Sequence, residues 1–465
     1  MLHAFQLGTR MQILQINAYD EGGGAETVAK NLQREYRAAG HDAWMAVGFR
    51  RSQDRHVVEI PNAQSRSALW QFCYRLEDAA VRRKIPAVPG LAKWLSKLDP
   101  AERERVLNRN NGGEDFYHPS TARILELAPR KPEIVHCHNL HVNYFDLRLL
   151  PWLTSQAPVI FTLHDAWLLS GHCAHSFDCE RWKTGCGECP DLTISPAIAK
   201  DATAANWKLK AGIFAGCRLR VATPSQWLMD KVSQSMLQPA IVESRVIPNG
   251  VDLSIYKPGD RQKARMELGI ALDAKVLLFT SNWARNSPWR DFKTLQDAVG
   301  LIAAKMNGAK IVFLALGEDA PSENVGQARI DFVPYQKDPA IVAKYYQAAD
   351  IYLHATRTDT FPNVILESQA CGCPVVATGV GGIPEQIENR KTGFIVKAAA
   401  AAEMADCAVE LLRNDALRHS IREAALSKIR LHNDWKDVAG RYLSWFEEIT
   451  AGDNRGVSAA KILNV

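Results

Sequence analysis

No stretch of the 465 residues is apolar for long enough to span a bilayer. The opening ten, MLHAFQLGTR, lack the apolar core of a secretory signal. Met11 opens the first strand and is the expected functional start. A cytoplasmic location is therefore the expectation, and with it ten cysteines kept as reduced thiols or metal ligands. Charge of one sign is also scarce: the net charge is +5 and the isoelectric point about 8.6. That balance is too mild for a nucleic-acid partner, though it suits anionic substrates or a membrane surface. There is no internal repeat and no low-complexity tract beyond the alanines at 398–402. No Asp-x-Asp occurs, so a divalent ion that bridges phosphates is not indicated and no catalytic cofactor is expected. The dinucleotide fingerprint is missing too. It needs glycine at its first, third and sixth positions, and the run Gly22-Gly23-Gly24-Ala25-Glu26-Thr27 ends on threonine. An NAD-dependent oxidoreductase loses its main support there. No lysine stands in a context that marks a pyridoxal site.

What is present is an alternation of short apolar runs and helical periodicity, long enough for two or three domains. Residues 11–17 (MQILQIN) form a compact strand that feeds the glycine turn, then a helix to about Ala39 and a strand over 42–47. This is the first unit of a doubly wound sheet, or on the plainer reading a tight turn. Strands over 133–137 and 158–163 end at His138 and at His164-Asp165; further strands are expected at 219–222 and 245–248. IPNGVDLSIYKP reads as a linker. The alternation then restarts, with strands at 275–280, 310–316 and 330–333 and helices near 292–306 and 339–348. Residues 51–130 are the hardest to read. Helices over 67–76 and 87–98 carry Trp70, Phe72, Tyr74 and Trp94 among Arg75, Arg82, Arg83, Lys84, Lys93 and Lys97. Such a pair could rest on anionic lipid, or it is an ordinary amphipathic pair with solvated charges. An aromatic-rich helix over 433–447 precedes a tail expected to be flexible after Ala451.

The most specific signal lies between 350 and 388. A strand over 350–355 leads to a polar loop holding Asp359, Phe361 and Pro362, then to a helix carrying Glu367 that Gly372 and Pro374 terminate. A strand over 374–378 and a turn at Gly379–Pro384 into another helix follow. Two helix N-termini thus sit beside the carboxyl ends of neighbouring strands, where open α/β sheets bind ligands and favour phosphates. Asp359 and Glu367, with seven residues between them, Phe361, Cys371-Gly372, Pro374-Val375-Val376-Ala377-Thr378 and Gly381-Gly382 resemble the donor-site signature of retaining GT-B glycosyltransferases of family 4. The first acidic position is usually Glu in that signature; here it is Asp359. The Gly-Gly-Ala-Glu text around Gly24 and the linker resemble the same family.

The resemblance implies an α/β GT-B fold: two Rossmann-like doubly wound domains facing a cleft, with a C-terminal helix crossing back to the first. The expected boundaries are an acceptor domain over 11–250, a nucleotide-sugar domain over 259–430, a crossover helix over 431–450 and a tail over 451–465. It also implies roles. Arg285 matches the family arginine on the donor diphosphate; Arg290 stands where the family has lysine, with Lys293 as a possible substitute. Backbone near Gly381 and Gly382 would assist, and Gly24 would approach the donor. Glu367 would accept ribose hydroxyls, and Asp359 would hold a sugar hydroxyl beside Thr360, Phe361, Pro362 and Asn363. His164 would bond the donor sugar near its anomeric centre; His138 has no such counterpart. The implied reaction is retaining transfer from a UDP- or GDP-sugar to a glycan or polyprenyl-diphosphate-linked acceptor, by same-face attack with the leaving phosphate as base. A catalytically inactive glycan- or nucleotide-sugar-binding GT-B protein, or a GT-B epimerase or phosphorylase, stays open beside it.

Cys173, Cys179, Cys186 and Cys189 follow His164 closely, the last two as Cys-x-x-Cys. Four thiolates at this spacing suit one structural zinc, with His172 or His175 able to replace a cysteine; free or redox-active thiols are the alternative. The text from His164-Asp165-Ala166-Trp167 to Pro190 resembles a subgroup of surface-polysaccharide enzymes that includes colanic-acid-type glycosyltransferases. That subgroup implies a lipid-linked acceptor and peripheral contact with the inner membrane face.

Overall fold

The protein is described here by a computed structural model covering residues 10–82, 85, 95, 98–282, 285 and 287–462. Arg83, Lys84, Lys93, Trp94 and Lys97, singled out as part of a basic aromatic segment, lie outside these. The chain divides into two compact units. The first comprises Met1–Thr223, Met229–Arg245 and Tyr442–Val465; the second comprises Pro224–Leu228 and Val246–Arg441.

In the first unit, β1 (Gln12–Tyr19), β2 (Asp42–Phe49), β3 (Val57–Glu59), β4 (Ile134–Cys137), β5 (Val159–Thr162), β6 (Leu219–Thr223) and β7 (Ile241–Val246) form one sheet. Its order is β3-β2-β1-β4-β5-β6-β7, and the pairs from β3 through β6 are parallel. β4 and β5 are buried along their whole length, which explains why they read as continuous apolar runs without alternation. The helix Gly24–Ala38 turns Val28, Ala29, Leu32 and Tyr36 inward at helical spacing. β7 ends at Val246, earlier than the strand expected over 245–248, because Pro248 offers no N–H to a ladder. The C-terminal helix runs from Trp435 to Ile462, through the segment where a tail was expected. Tyr442, Trp445 and Phe446 on it are buried, and Tyr442 Oη lies 2.8 Å from Thr162 Oγ1 on β5.

The second unit repeats the plan. β8 (Lys275–Thr280), β9 (Ile311–Leu316), β10 (Glu323–Val325), β11 (Ala328–Val333), β12 (Ile351–His354), β13 (Val375–Thr378) and β14 (Phe394–Val396) take the order β10-β11-β9-β8-β12-β13-β14. Only the β10–β11 hairpin is antiparallel. Both sheets are therefore doubly wound, and the strand order reverses between β1 and β4 and between β8 and β12. Ligands bind outside the carboxyl ends of strands at such points. His138 follows β4, His164 follows β5, the Asp359 loop follows β12 and the glycine turn follows β13. No helix among the described residues is long and apolar enough to cross a membrane.

Asp350, just before β12, anchors this sheet. Its carboxylate accepts from the Arg265 guanidinium, from Arg261 and from the Val276 amide, each at 2.8 Å. Arg265 is buried and makes three further bonds to backbone carbonyls. Removing one member of a buried pair strands the other charge. Asp350→Ala is expected to lower unfolding free energy in urea by about 3–5 kcal/mol; a loss under about 1 kcal/mol would show the pair to be dispensable.

Candidate functional site

The strand ends in the second unit are stapled together. Thr378 Oγ1 accepts from the Thr356 amide at 3.0 Å and donates to the Thr356 carbonyl at 3.1 Å. The chain then enters the loop of Asp359, whose Oδ1 accepts from the Phe361 amide at 3.3 Å. The glycine turn closes against this loop. Gly382 N–H donates to the Asp359 carbonyl at 3.1 Å. Gly381 holds φ +59°, and a Cβ there would overlap the Asp359 carbonyl; one on Gly382 would overlap that of Thr360. The two halves of the signature are thus one surface.

Asp359 Oδ2 accepts from Arg290 Nη1 at 2.7 Å, and the same nitrogen donates to Thr356 Oγ1 at 3.1 Å. The two positions where this chain departs from the family pattern are each other's partner. A carboxylate on a shorter stem is met by a longer, forked cation. Arg285 is placed differently: its guanidinium pairs with Glu318 at 2.5 Å and Glu323 at 3.5 Å and lies over the Phe332 ring. Lys293 points to the outer face of its helix, Phe292–Lys305, and pairs there with Asp297. Of the three basic residues named from the sequence, Arg290 is the one brought to Asp359.

Glu367 sits on the helix Asn363–Ala370. Burial pushes its carboxyl up to about 7, against hydrogen bonds from Tyr346 and Tyr256 that pull it down. Tyr346 Oη lies 3.1 Å from Glu367 Oε2, and Tyr346 and Tyr352 each lie 3.0 Å from Thr280 Oγ1. Neither tyrosine partner of Glu367 was singled out from the sequence, although Tyr256 lies in the linker text that resembles the family. Asn249, also in the linker, donates to Asn363 Oδ1 at 2.9 Å and to the Phe361 carbonyl at 3.3 Å. Phe361 is buried beside Val251, Leu366 and Ile429, and the Pro362 carbonyl accepts from Gln386 at 3.0 Å. Thr360 is buried in the same loop.

In the first unit, Gly24 opens the helix after β1, with Gly23 as its cap. His164 Nε2 lies 3.0 Å from Nδ1 of His138, and the two rings lie 18° from parallel. Burial lowers His164 to about 4 and His138 well below its usual value, so both are neutral imidazoles. The chain after His164 is held by Lys210, fully buried, whose ammonium donates to the Trp167 and Ser170 carbonyls at 3.0 and 3.1 Å and pairs with Glu114 at 2.7 Å. A cavity of about 230 Å³ opens beside Trp167, walled by Phe116, Leu140, Phe145 and His172 with His141 and Asn143. The four clustered cysteines are free thiols. Cys186 Sγ accepts from the Gly171 amide at 3.3 Å, and Cys189 Sγ lies 3.4 Å from His172 Nε2. Among the described residues no three His, Cys, Asp or Glu side chains converge on one metal position. Burial raises the thiol pKa of Cys173, Cys186 and Cys189, with Cys186 pushed up to about 11.

Two family models match the chain: "Glycosyltransferase Family 4" over residues 22–255 and "Glycosyl transferases group 1" over 274–414. Among curated proteins, the D-inositol 3-phosphate glycosyltransferase of Actinosynnema mirum is 34% identical over 200 residues, covering 40% of this chain and 47% of that protein. The protein of the same name from Mycobacterium avium is 35% identical over 179 residues, covering 36% and 40%. The matches thus span less than half of these relatives. Among solved structures, Anabaena Alr3699/HepE in complex with UDP and glucose aligns with a TM-score of 0.62 at 17% identity, covering 94% of this chain and 99% of that one. WaaG, a glycosyltransferase involved in lipopolysaccharide biosynthesis, aligns at 0.56 and 13%, covering 95% and 100%. At these identities the likeness is one of fold.

The Arg290–Asp359 contact generates a thermodynamic expectation. In a double-mutant cycle of Arg290→Ala and Asp359→Ala, followed by urea unfolding, the coupling energy should be about 1 kcal/mol. A cycle that closes additively would mean that the two side chains do not meet.

Proposed function

The chain belongs to glycosyltransferase family 4, and on that premise we propose that it moves a sugar from a nucleotide-sugar to a glycan or lipid-linked saccharide with retention of configuration. The observation that carries this reading is the junction of the Asp359 loop with the Gly381–Gly382 turn at the carboxyl ends of β12 and β13, with Arg290 at its centre. Cleavage of the sugar–phosphate bond builds negative charge on the leaving diphosphate. Arg290 and the helix N-termini beside the turn supply the complementary charge. Arg285 would have to leave Glu318 to join it. Glu367 accepts the ribose hydroxyls, Asp359 a sugar hydroxyl, and His164 bonds the sugar near the anomeric carbon. The leaving phosphate takes the acceptor's proton on the same face, so the anomeric configuration is retained.

A UDP-sugar is the favoured donor, because the Anabaena structure of the same fold holds UDP and glucose. The acceptor's saccharide is assigned to the cavity beside Trp167, whose aromatic walls and polar rim suit a sugar ring. A surface-polysaccharide role, in the cytoplasm at the inner membrane face, rests on the text from His164 to Pro190 and on helix Ala68–Arg82. That helix leaves Leu69, Phe72 and Tyr74 exposed beside Arg75.

Incubation with a panel of UDP- and GDP-sugars, with nucleotide release as the readout, tests the reading. Release from at least one donor is expected, in a product whose linkage keeps the donor's anomeric configuration by NMR. Binding without release would mark an inactive binding protein, and inversion would remove the same-face mechanism. Glu367 adds a pH signature. Its raised pKa keeps the neutral acid populated up to about 7, and the carboxylate that accepts both hydroxyls is present only above that. Donor KM should therefore rise as pH falls through 7, and Glu367→Gln should flatten the profile; an unchanged profile in that variant would assign the titration elsewhere.

A further inference from the structure

We propose that Gln15 and His138 are positioning residues that fix the proton of His164 on Nδ1. Gln15 lies in β1 with no exposed surface, so its amide must find partners inside the protein. Its Nε2 is 3.1 Å from the Ala29 carbonyl oxygen and 3.1 Å from His138 Nε2. A carbonyl oxygen only accepts, so the amide face turned to Ala29 is the NH₂ and not the oxygen. One hydrogen goes to Ala29 and the other to His138 Nε2, which consequently carries no proton. A neutral imidazole holds a single proton, and that of His138 is then on Nδ1. This nitrogen faces His164 Nε2 at 3.0 Å. His138 donates, His164 Nε2 accepts, and the proton of neutral His164 is left on Nδ1. His136, with its ring centre 4.4 Å from that of His138, is turned to Thr162 and Tyr36 and does not enter this chain of bonds.

The polarity runs one way from the Gln15 amide through His138 to the ring of His164. It makes Nδ1–H the donor through which His164 meets an oxygen, and it occupies Nε2, so that nitrogen cannot serve as a base. This agrees with a histidine that holds a sugar oxygen while the leaving phosphate receives the proton. The tautomer stands on the hydrogen bonds and on the neutrality that burial gives both rings; its use in the reaction rests on the role given to His164 above.

The test is ¹⁵N NMR of the full-length chain labelled at histidine, with His164 assigned through the resonances lost in His164→Asn. A protonated Nδ1 and a bare Nε2 are expected in the unsubstituted protein; a protonated Nε2 would overturn the proposal without any variant having to fold. In His138→Phe, which keeps a ring but has no donor, His164 should move toward the Nε2–H form. There kcat should fall about tenfold with donor KM unchanged, the worth of one oriented hydrogen bond. An unshifted tautomer in His138→Phe would overturn the positioning role, and so would an unchanged kcat. Full turnover in His164→Ala would instead remove His164 from the reaction, which is a failure of the functional reading and one that the spectrum of the unsubstituted protein would not share.

Discussion

A side chain of even one carbon at Gly381 or Gly382 would occupy the space of a backbone carbonyl in the Asp359 loop. That steric limit is what the rest of the second unit depends on. Because both positions are bare, the turn after β13 can close against the loop after β12, and Gly382 can bond the Asp359 carbonyl. Closing it brings an acidic side chain, a guanidinium and two helix starts to one place at the switch point of the sheet. The arrangement concentrates polar groups without burying an unpaired charge, since Arg290 answers Asp359 directly.

The first unit solves a different problem. Burial keeps His138 and His164 neutral, so on the proposed reading what matters in them is which nitrogen bears the proton rather than charge. Gln15 decides this from inside the sheet because a backbone carbonyl leaves its amide one orientation. On the proposed reading, electrostatic work on a leaving diphosphate falls to Arg290 and the helix starts, and orientation falls to the imidazole. Glu367 stands between the two regimes, with an environment that holds its pKa near 7 and two tyrosines that oppose the rise.

Much of this was legible in the sequence, and the exceptions have a common cause. β1, β8, β12 and β13 were readable because strands buried on both faces are dominated by apolar residues. β3, β10 and β14 were not, since three-residue strands leave no period to detect. The carboxylates and glycines of the donor region could be named because their spacing is local. Their partners could not: Tyr256 and Tyr346 reach Glu367, and Arg290 reaches Asp359, across long stretches of chain. Lys293 was named only as a possible substitute on the diphosphate; its partner here is Asp297, one helical turn on and visible in the text. The cysteine spacing suggested one metal shell; the neighbours that the thiols meet, Gly171 for Cys186 and His172 for Cys189, were not legible there.

The central claim is that the glycine–carboxylate junction is the donor site. Calorimetric titration of UDP into the unsubstituted protein and into Gly382→Ala tests it most directly. Binding to the former and a loss of at least about tenfold in affinity in the latter, or about 1.4 kcal/mol, is the result this account predicts. Equal affinity for UDP in the two proteins would contradict it.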